Sequence, residues 1–471
     1  MAIGLVQGFV IAAVLTKAEW GVVQLAVSIG SALGIYQHLG LASASTREIS
    51  SAKKEEDIFK IFVTSVFIRY CVTLPIAVGL LFSSHYLANV LYKNAALELP
   101  LKIYAVTLLF QGVQSILNSV ISGTKRFKRL FIYQAVIAVV SLVLYLPLVF
   151  FYRTEGYFYA FLVFNVISSI SLSFLAFGPL KGKLVFPKKS EFVSFLKEIF
   201  SISIAIYLMK VIYTNWEKLG ANSLGLFENP EIIATYAFAL LYAKKLTSIS
   251  DSVTDVNLPV LSEKYQKDLG GFKELFEKNF NKLFSIIVLI GSFAAYWAPV
   301  IIRFAVGHKY DDSFELIPPL ILAFMIYSLL NIINSSVLIP AKMTKSMVLS
   351  YVLMILGTGL FAYLLRSQVG ILPAMSWGMA FGAILSFVVM LVSIKRKINF
   401  SFVNIDHAAI LLAGFTVALL CPIESTWVKT VGFLFIAPLM IWSVFIPSFF
   451  TKSDLSFLFT KISILFKRDK K

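Results

Sequence analysis

Residues 125–152, KRFKRLFIYQAVIAVVSLVLYLPLVFFY, decide the class of this protein, because four basic side chains are followed at once by a long apolar run. Residues 131–152 carry no charge and are long enough to cross about 30 Å of hydrocarbon as a helix. Similar runs recur along the chain, which is 58% hydrophobic and 14% charged, whereas soluble domains are about a quarter charged. The sequence therefore predicts an all-α, polytopic membrane protein, because backbone groups in lipid must bond within their own segment.

Fourteen membrane spans are predicted from these runs. They lie at 1–16, 20–44, 60–82, 100–122, 131–152, 156–178, 199–216, 232–260, 282–303, 314–339, 346–365, 370–393, 406–422 and 430–448. Most of these lengths suit a tilted transmembrane helix. The first span is short, so we expect either that the start is clipped or that Met1 lies near the membrane surface.

Basic residues alternate between the gaps that separate these spans. Of the 42 Lys and Arg residues, 29 fall in one set of alternate gaps and the C-terminal tail, and 9 fall in the other set. Because Lys and Arg are retained on the cytoplasmic side, the rich gaps and both termini are predicted to be cytoplasmic. The same distribution explains the net charge of +17 through contacts with anionic lipid head groups, so no nucleic-acid partner is expected.

The basic segment near the middle of the chain divides it into related halves. We predict a six-helix lobe at 1–178, a cytoplasmic amphipathic linker at 179–198, a second six-helix lobe at 199–394, and two extra helices with a basic tail at 395–471. Ile116–Val120 in the fourth span resembles Ile332–Ser336 in the tenth. Because each half has an even number of spans, an axis along the membrane normal is expected to relate them, with substrate between the lobes. An ordinary solvated linker is the alternative at 179–198.

Four cations, Arg69, Lys210, Lys244 and Lys245, lie inside predicted spans. A cation at the centre of a transmembrane helix costs about 3 kcal/mol on insertion scales, so such residues usually mark functional sites. They indicate a hydrated, cationic cavity that suits an anionic ligand such as a phosphate, which Lys binds as a point charge and Arg by a fork of donors.

Polar residues recur at helical spacing in the same spans. The candidates are Tyr207 and Glu217 in span seven, Asp251 and Asp255 in span eight, Gln111 and Asn118 in span four, and Asn331 and Asn334 in span ten. We expect the amides and Tyr207 to contact substrate, and the three carboxylates to take H⁺ or Na⁺. The alternative is that these residues join helices through hydrogen bonds of about 1 kcal/mol each, with Lys244 and Asp251 neutralising each other.

Cofactor chemistry has little support in the sequence. The two cysteines form no disulfide framework, and the four histidines are not paired at metal-ligand spacing. No phosphate-binding nucleotide loop is found, so an ATP-driven pump is not predicted. We expect no metal and no cofactor.

Three segments in the first half carry a resemblance to a known family. Lys17–Gly21, Leu39–Ala44 and Arg47–Glu48 resemble the first two helices of bacterial polysaccharide repeat-unit flippases. These are the O-antigen (Wzx-type) exporters of the multidrug/oligosaccharidyl-lipid/polysaccharide flippase superfamily. Ala234–Ala237 and Asn257–Glu263 resemble the second-half counterpart.

This resemblance implies a two-lobed bundle that works by alternating access in the bacterial cytoplasmic membrane and is not an enzyme. It implies an oligosaccharide on polyprenyl pyrophosphate as the substrate, moved to the outer leaflet for surface polysaccharide synthesis. A polysaccharide polymerase and a chain-length regulator are implied partners. Arg47 matches a recurring basic motif position, and the cationic cavity is implied to engage the pyrophosphate.

Other readings of the sequence stay open. A cation-coupled multidrug exporter of the same superfamily usually takes cationic substrates, which suit an acidic cavity better. A peptidoglycan lipid-precursor flippase would share the same substrate chemistry. A membrane glycosyltransferase, polymerase or ligase would need outer carboxylates, and the only acidic pair there, Asp311–Asp312, lies in a short segment.

Overall fold

The computed structural model describes residues 2–52, 54–180, 185–252, 261, 264–265, 267–423, 425–445 and 449. Its helices are α1 (Ala2–Val14), α2 (Lys17–Gly34), α3 (Leu41–Ser51), α4 (Glu55–Tyr86), α5 (Glu98–Gly123), α6 (Phe127–Phe177), α7 (Lys189–Phe227), α8 (Pro230–Ala243), α9 (Leu269–Val306), α10 (Ile317–Ile333), α11 (Thr344–Val369), α12 (Ile371–Ile398), α13 (Ile405–Leu419) and α14 (Thr426–Phe445). Within the described ranges, ten helical segments are long and apolar enough to cross a membrane. The all-α, polytopic fold is confirmed, and every predicted span falls on a helix where the span is described.

Helix α6 holds two of the predicted spans, although it is one element of 51 residues. Arg153, with φ 53° and ψ −129°, breaks the helical path. The hydroxyl of Tyr133 lies 2.7 Å from that of Ser168, whereas a straight helix would separate these residues by about 50 Å. The chain therefore reverses at Arg153, between the two predicted spans. A Cβ at Gly156 would lie 1.9 Å from the carbonyl oxygen of Leu148, so the reversal requires glycine there.

An ion pair joins the start of α2 to this reversal. Thr16 and Glu19 form a capping box at the start of α2. Glu19 also accepts two hydrogen bonds from the Arg153 guanidinium, at 2.9 and 3.1 Å. Such forked pairs add orientation as well as energy. The ion pair therefore joins the strained Arg153 backbone, midway along α6, to the start of α2.

The chain divides into two units, each packed mainly against itself. The first comprises Met1–Ala237 with Ala305–Lys309, and the second comprises Phe238–Phe304 with Tyr310–Lys471. In the first unit, Ile49, Leu117 and Leu172 join α3, α5 and α6 in one apolar core. In the second unit, α10 is the central helix, with all but one of its residues buried. The predicted six-helix lobes rest on internal similarity and stay a prediction.

Helices continue past the ends of the predicted spans into two of the gaps between them. At 83–99, α4 runs to Tyr86 and continues as a π-helix over Leu87–Leu91. At 217–231, α7 runs to Phe227. Polar residues at the end of a span therefore do not end the helix, whose backbone bonds continue beyond the apolar run.

The predicted linker helix is continuous with α7 rather than separate, since α7 begins at Lys189. Its first turn contacts the cytoplasmic end of α4. Glu191 lies 2.8 Å from the ammonium of Lys60, and the Phe192 ring packs edge-on against Phe67 with centroids 5.2 Å apart. The hydrogen bond from Lys60 holds the pKa of Glu191 below its ordinary value. Phe186 also packs edge-on against Phe59, with centroids 5.5 Å apart, so an ion pair and aromatic contacts hold the linker against α4.

Candidate functional site

Arg69 on α4 is the centre of a polar cluster in the first unit, and it is fully buried. Its guanidinium donates to the hydroxyl of Ser115 on α5 at 2.6 Å and to Nδ1 of His38 at 3.1 Å. Its buried Nε has no hydrogen-bond acceptor among the described residues. Over that same part of the chain, no carboxylate is paired with this cation.

A short irregular segment after α2 brings His38 to Arg69. The α-helix ends at Gly34, a 3₁₀ turn covers Ile35–Gln37, and Gly40 with φ 69° begins α3. The buried Gln37 side chain accepts from the Thr73 hydroxyl at 3.0 Å, which fixes this segment against α4 one turn beyond Arg69. The break in the helix therefore presents the His38 ring to the cation.

Helix α7 adds a second cation and a tyrosine to the cluster. Lys210 is exposed and interacts electrostatically with His38. One turn earlier, the Tyr207 hydroxyl donates to the carbonyl oxygen of Tyr36 at 3.0 Å. Asn215 donates to the Tyr36 hydroxyl at 3.4 Å, so α7 contacts both the backbone carbonyl and the hydroxyl of this residue, which is 41% exposed. An exposed lysine on this face indicates a hydrated surface, because a cation facing hydrocarbon would be costly.

The remaining predicted residues of the first unit lie around or apart from this cluster. Gln111 and Asn118 are half-buried on α5, four residues before and three after Ser115, and hence on the helix face that bonds Arg69. Arg47 is exposed on α3, and no described contact joins it to Arg69. Glu217 is buried on α7, about two turns beyond Lys210, and lies 2.8 Å from the ammonium of Lys218.

Three of the predicted residues of the second unit, Asp251, Asn331 and Asn334, take part in described side-chain hydrogen bonds. Lys244 and Lys245 are half-buried in a 3₁₀ turn that continues α8. Asp251 is exposed and accepts from the Asn331 amide at 2.9 Å. Asn334 is buried and donates to the Tyr351 hydroxyl at 2.5 Å. Asp255 lies outside the described residues, as does most of the predicted motif 257–263.

Lys429, one of the nine cations in the less basic set of gaps, differs from Arg69 in its partners. The structure buries it fully near the start of α14. Its ammonium donates to the carbonyl oxygens of Tyr296 at 2.5 Å and Cys421 at 2.8 Å. The same ammonium lies 5.2 Å from the centroid of the Tyr296 ring. This cation joins α9, α13 and α14 by donating to backbone carbonyls, which is typical of a structural role.

Sequence reasoning missed several members of the first-unit cluster. His38 falls in a polar series of span two with Gln24, Ser28 and Ser31, but its spacing alone does not show a contact with α4. No sequence pattern indicated a role for Tyr36 or Asn215. Within the described ranges, no group of three or more His, Cys, Asp or Glu side chains is placed to hold a metal ion.

The fold and this cluster define a multi-pass membrane protein built like known transporters. The structure of lipid II flippase MurJ, in an inward closed conformation, matches with TM-score 0.68 at 15% identity, covering 93% of this chain and 97% of that one. The eukaryotic MATE transporter AtDTX14 matches with TM-score 0.60 at 15% identity, covering 85% and 95%. An inward-facing multidrug resistance MATE family transporter of the MOP superfamily matches with TM-score 0.54 at 16% identity, covering 84% and 94%.

A family model described as polysaccharide biosynthesis protein matches residues 10–315, and the chain belongs to that family. This confirms the family resemblance expected from the sequence. No curated protein matches the sequence. Because the solved structures are less than 25% identical, they establish the fold and leave the substrate to be argued from the site.

Proposed function

We propose that this protein is a flippase for oligosaccharide repeat units carried on polyprenyl pyrophosphate. It moves them from the cytoplasmic to the outer leaflet of the bacterial cytoplasmic membrane by alternating access, for synthesis of an O-antigen-like surface polysaccharide. Membership of the polysaccharide biosynthesis family and the MOP-type fold support this proposal.

The single observation that carries the proposal is the buried charge of Arg69, which is paired with no carboxylate of the described residues. A structural cation at this depth is normally paired with an acid or with backbone carbonyls. The guanidinium of Arg69 donates to a hydroxyl and an imidazole instead, and an exposed second cation, Lys210, lies beside them. A net positive field on a hydrated membrane surface favours a diphosphate and disfavours cationic drugs.

The proposed roles follow from exposure. Lys210 contacts the pyrophosphate directly, and buried Arg69 acts through its field in this conformation. Tyr207, Gln111 and Asn118 contact the glycan. Arg47, exposed at the cytoplasmic end of the first unit, captures the lipid head group before transfer.

The second unit is proposed to take part in transport through residues that were also predicted from the sequence. Lys244, Lys245 and Asn331 contact substrate, and buried Asn334 positions Tyr351. Glu217, Asp251 and Asp255 are the proposed H⁺ or Na⁺ carriers. The membrane potential supplies about 2.3 kcal/mol per charge per 100 mV for coupling.

The peptidoglycan lipid precursor is the second candidate substrate, because the MurJ structure covers nearly the whole chain. Both substrates carry a polyprenyl diphosphate, so the first-unit cluster suits either. Enzymatic roles have less support. Asp311, half of the acidic pair considered above, lies 2.8 Å from the Arg303 guanidinium in a forked ion pair, which is typical of a structural role. A polymerase and a chain-length regulator are proposed partners.

The test is export of surface polysaccharide by cells whose only copy of the gene encodes a charge-depleted variant. Lys210, Lys244 and Lys245, all changed to Gln, should reduce export at least tenfold at normal protein levels. The matched control changes three exposed lysines, Lys93, Lys128 and Lys395, to Gln and should retain export. Unchanged export by the first variant would refute the proposal. Loss of viability on gene deletion would favour the peptidoglycan precursor.

A further inference from the structure

His38 is the only imidazole among the named members of the first-unit cluster, and imidazole is the side chain whose unperturbed ionisation lies near neutral pH. Its ring is half-buried, so it is accessible to proton exchange. Two charged groups act on it, Arg69 from α4 and Lys210 from α7, and both are cations. From α5, the nearest cluster member is the neutral hydroxyl of Ser115. His38 is therefore surrounded by positive charge without an acid in that set.

The hydrogen bond between His38 and Arg69 fixes the state of the ring. A guanidinium has only donors, so the Nδ1 atom, 3.1 Å from Nη2 of Arg69, must accept. The imidazole is consequently neutral, with its proton on Nε2. A second proton on Nδ1 would turn the acceptor into a donor and break this bond.

We propose that His38 is a proton-binding site linked to occupancy of the cluster by an anion. Binding of a diphosphate beside Lys210 neutralises the surrounding positive charge, and His38 then takes one proton from solvent onto Nδ1. The imidazolium no longer accepts from Arg69, whose Nη2 is released to donate to the ligand. This inference rests on the proposed function and adds to it a proton carrier that is not a carboxylate.

Proton linkage predicts the direction in which the affinity for the anion changes with pH. If the bound state holds one more proton than the free state, affinity rises as pH falls between the two ionisations of His38. The slope is tenfold in affinity per pH unit within that window. Outside this pH window, His38 contributes no pH dependence to the affinity.

Calorimetry of the full-length protein in nanodiscs tests this. The probe is polyprenyl pyrophosphate carrying one N-acetylhexosamine, a diester whose phosphates do not titrate near neutral pH. Comparing buffers of different ionisation heats counts the protons taken up. We expect close to one proton for the wild type and close to none for His38→Asn, whose amide oxygen replaces Nδ1 as the acceptor for Arg69.

His85→Asn is the matched control, because His85 is 74% exposed beside Glu98 and should leave the proton count unchanged. Imidazole ¹⁵N spectra of the wild type provide a check that needs no variant, with one histidine expected to become an imidazolium when the probe binds. Equal proton uptake by His38→Asn and wild type, or no change in any histidine spectrum, would overturn the inference. Absence of probe binding by the wild type would instead overturn the proposed function and this inference with it.

Discussion

Replacing Arg69 by Met tests whether this cation acts in transport or only stabilises the fold. The change removes a buried charge whose cost is about 3 kcal/mol on insertion scales. It also removes two hydrogen bonds made by a charged donor, each contributing about 1.5 kcal/mol at the low end of the usual range. These two effects nearly cancel. The partners also recover, because the Ser115 hydroxyl can turn to the Gln111 carbonyl four residues earlier. We therefore expect a free energy of unfolding within about 1 kcal/mol of the wild type.

Lys429→Met is the contrasting variant, since Lys429 is also fully buried. Its ammonium donates to the carbonyl oxygens of Tyr296 and Cys421. Unlike a hydroxyl group, these backbone acceptors cannot rotate toward another partner. Leaving a buried acceptor unsatisfied costs about 2 kcal/mol, so we expect a loss of about 4 kcal/mol in stability. Transport per folded molecule should stay close to that of the wild type.

The assay is a flip rate per folded molecule, measured in proteoliposomes, together with thermal unfolding of the same preparations. Arg69→Met should lose at least tenfold in rate with little change in unfolding temperature. Lys429→Met should unfold at a lower temperature and keep a rate per folded molecule close to that of the wild type. The reasoning is refuted if Arg69→Met unfolds several degrees earlier and its rate per folded molecule is normal, because Arg69 would then be a helix-joining residue.

Three smaller perturbations test other parts of the structure. Gly156→Ala places a methyl against the Leu148 carbonyl and should cost about 2–3 kcal/mol in thermal unfolding, whereas Gly178→Ala, with open space around it, should be neutral. The Glu191 carboxylate has a lowered pKa, so its contribution to linker docking is present above the ordinary value of about 4.3 and is lost as pH falls through the lowered one. The protection factors of residues 185–195 against hydrogen exchange should therefore fall below about pH 4 in the wild type and be independent of pH in Glu191→Gln. Tyr36→Ala should reduce the preference for glycosylated over bare polyprenyl pyrophosphate about tenfold in a binding assay, and Tyr36→Phe should retain it, because phenylalanine keeps the exposed ring and Tyr207 still bonds the backbone carbonyl at this position.

The membrane spans were predictable because hydrocarbon imposes a length and a composition that few other structures share. Even the reversal inside α6 follows from the sequence, since Arg153 interrupts an apolar run that is twice the length of one span. Helix ends beyond the hydrocarbon were not predictable in the same way. Polarity marks the membrane boundary, whereas α4 and α7 end where backbone bonding stops, several residues later.

Depth in the membrane alone could not identify the functional cations. By sequence, Arg69 lies inside a span and Lys429 beside one, yet the structure buries both completely. What separates them is the chemistry of their partners. Backbone carbonyls cannot rearrange when a ligand arrives, so Lys429 is fixed by its contacts. A hydroxyl and an imidazole can each change role from acceptor to donor, so the contacts of Arg69 can be released at the cost of one proton on His38. A transporter must bind its substrate and then let it go, and partners that change role allow both with the same residues.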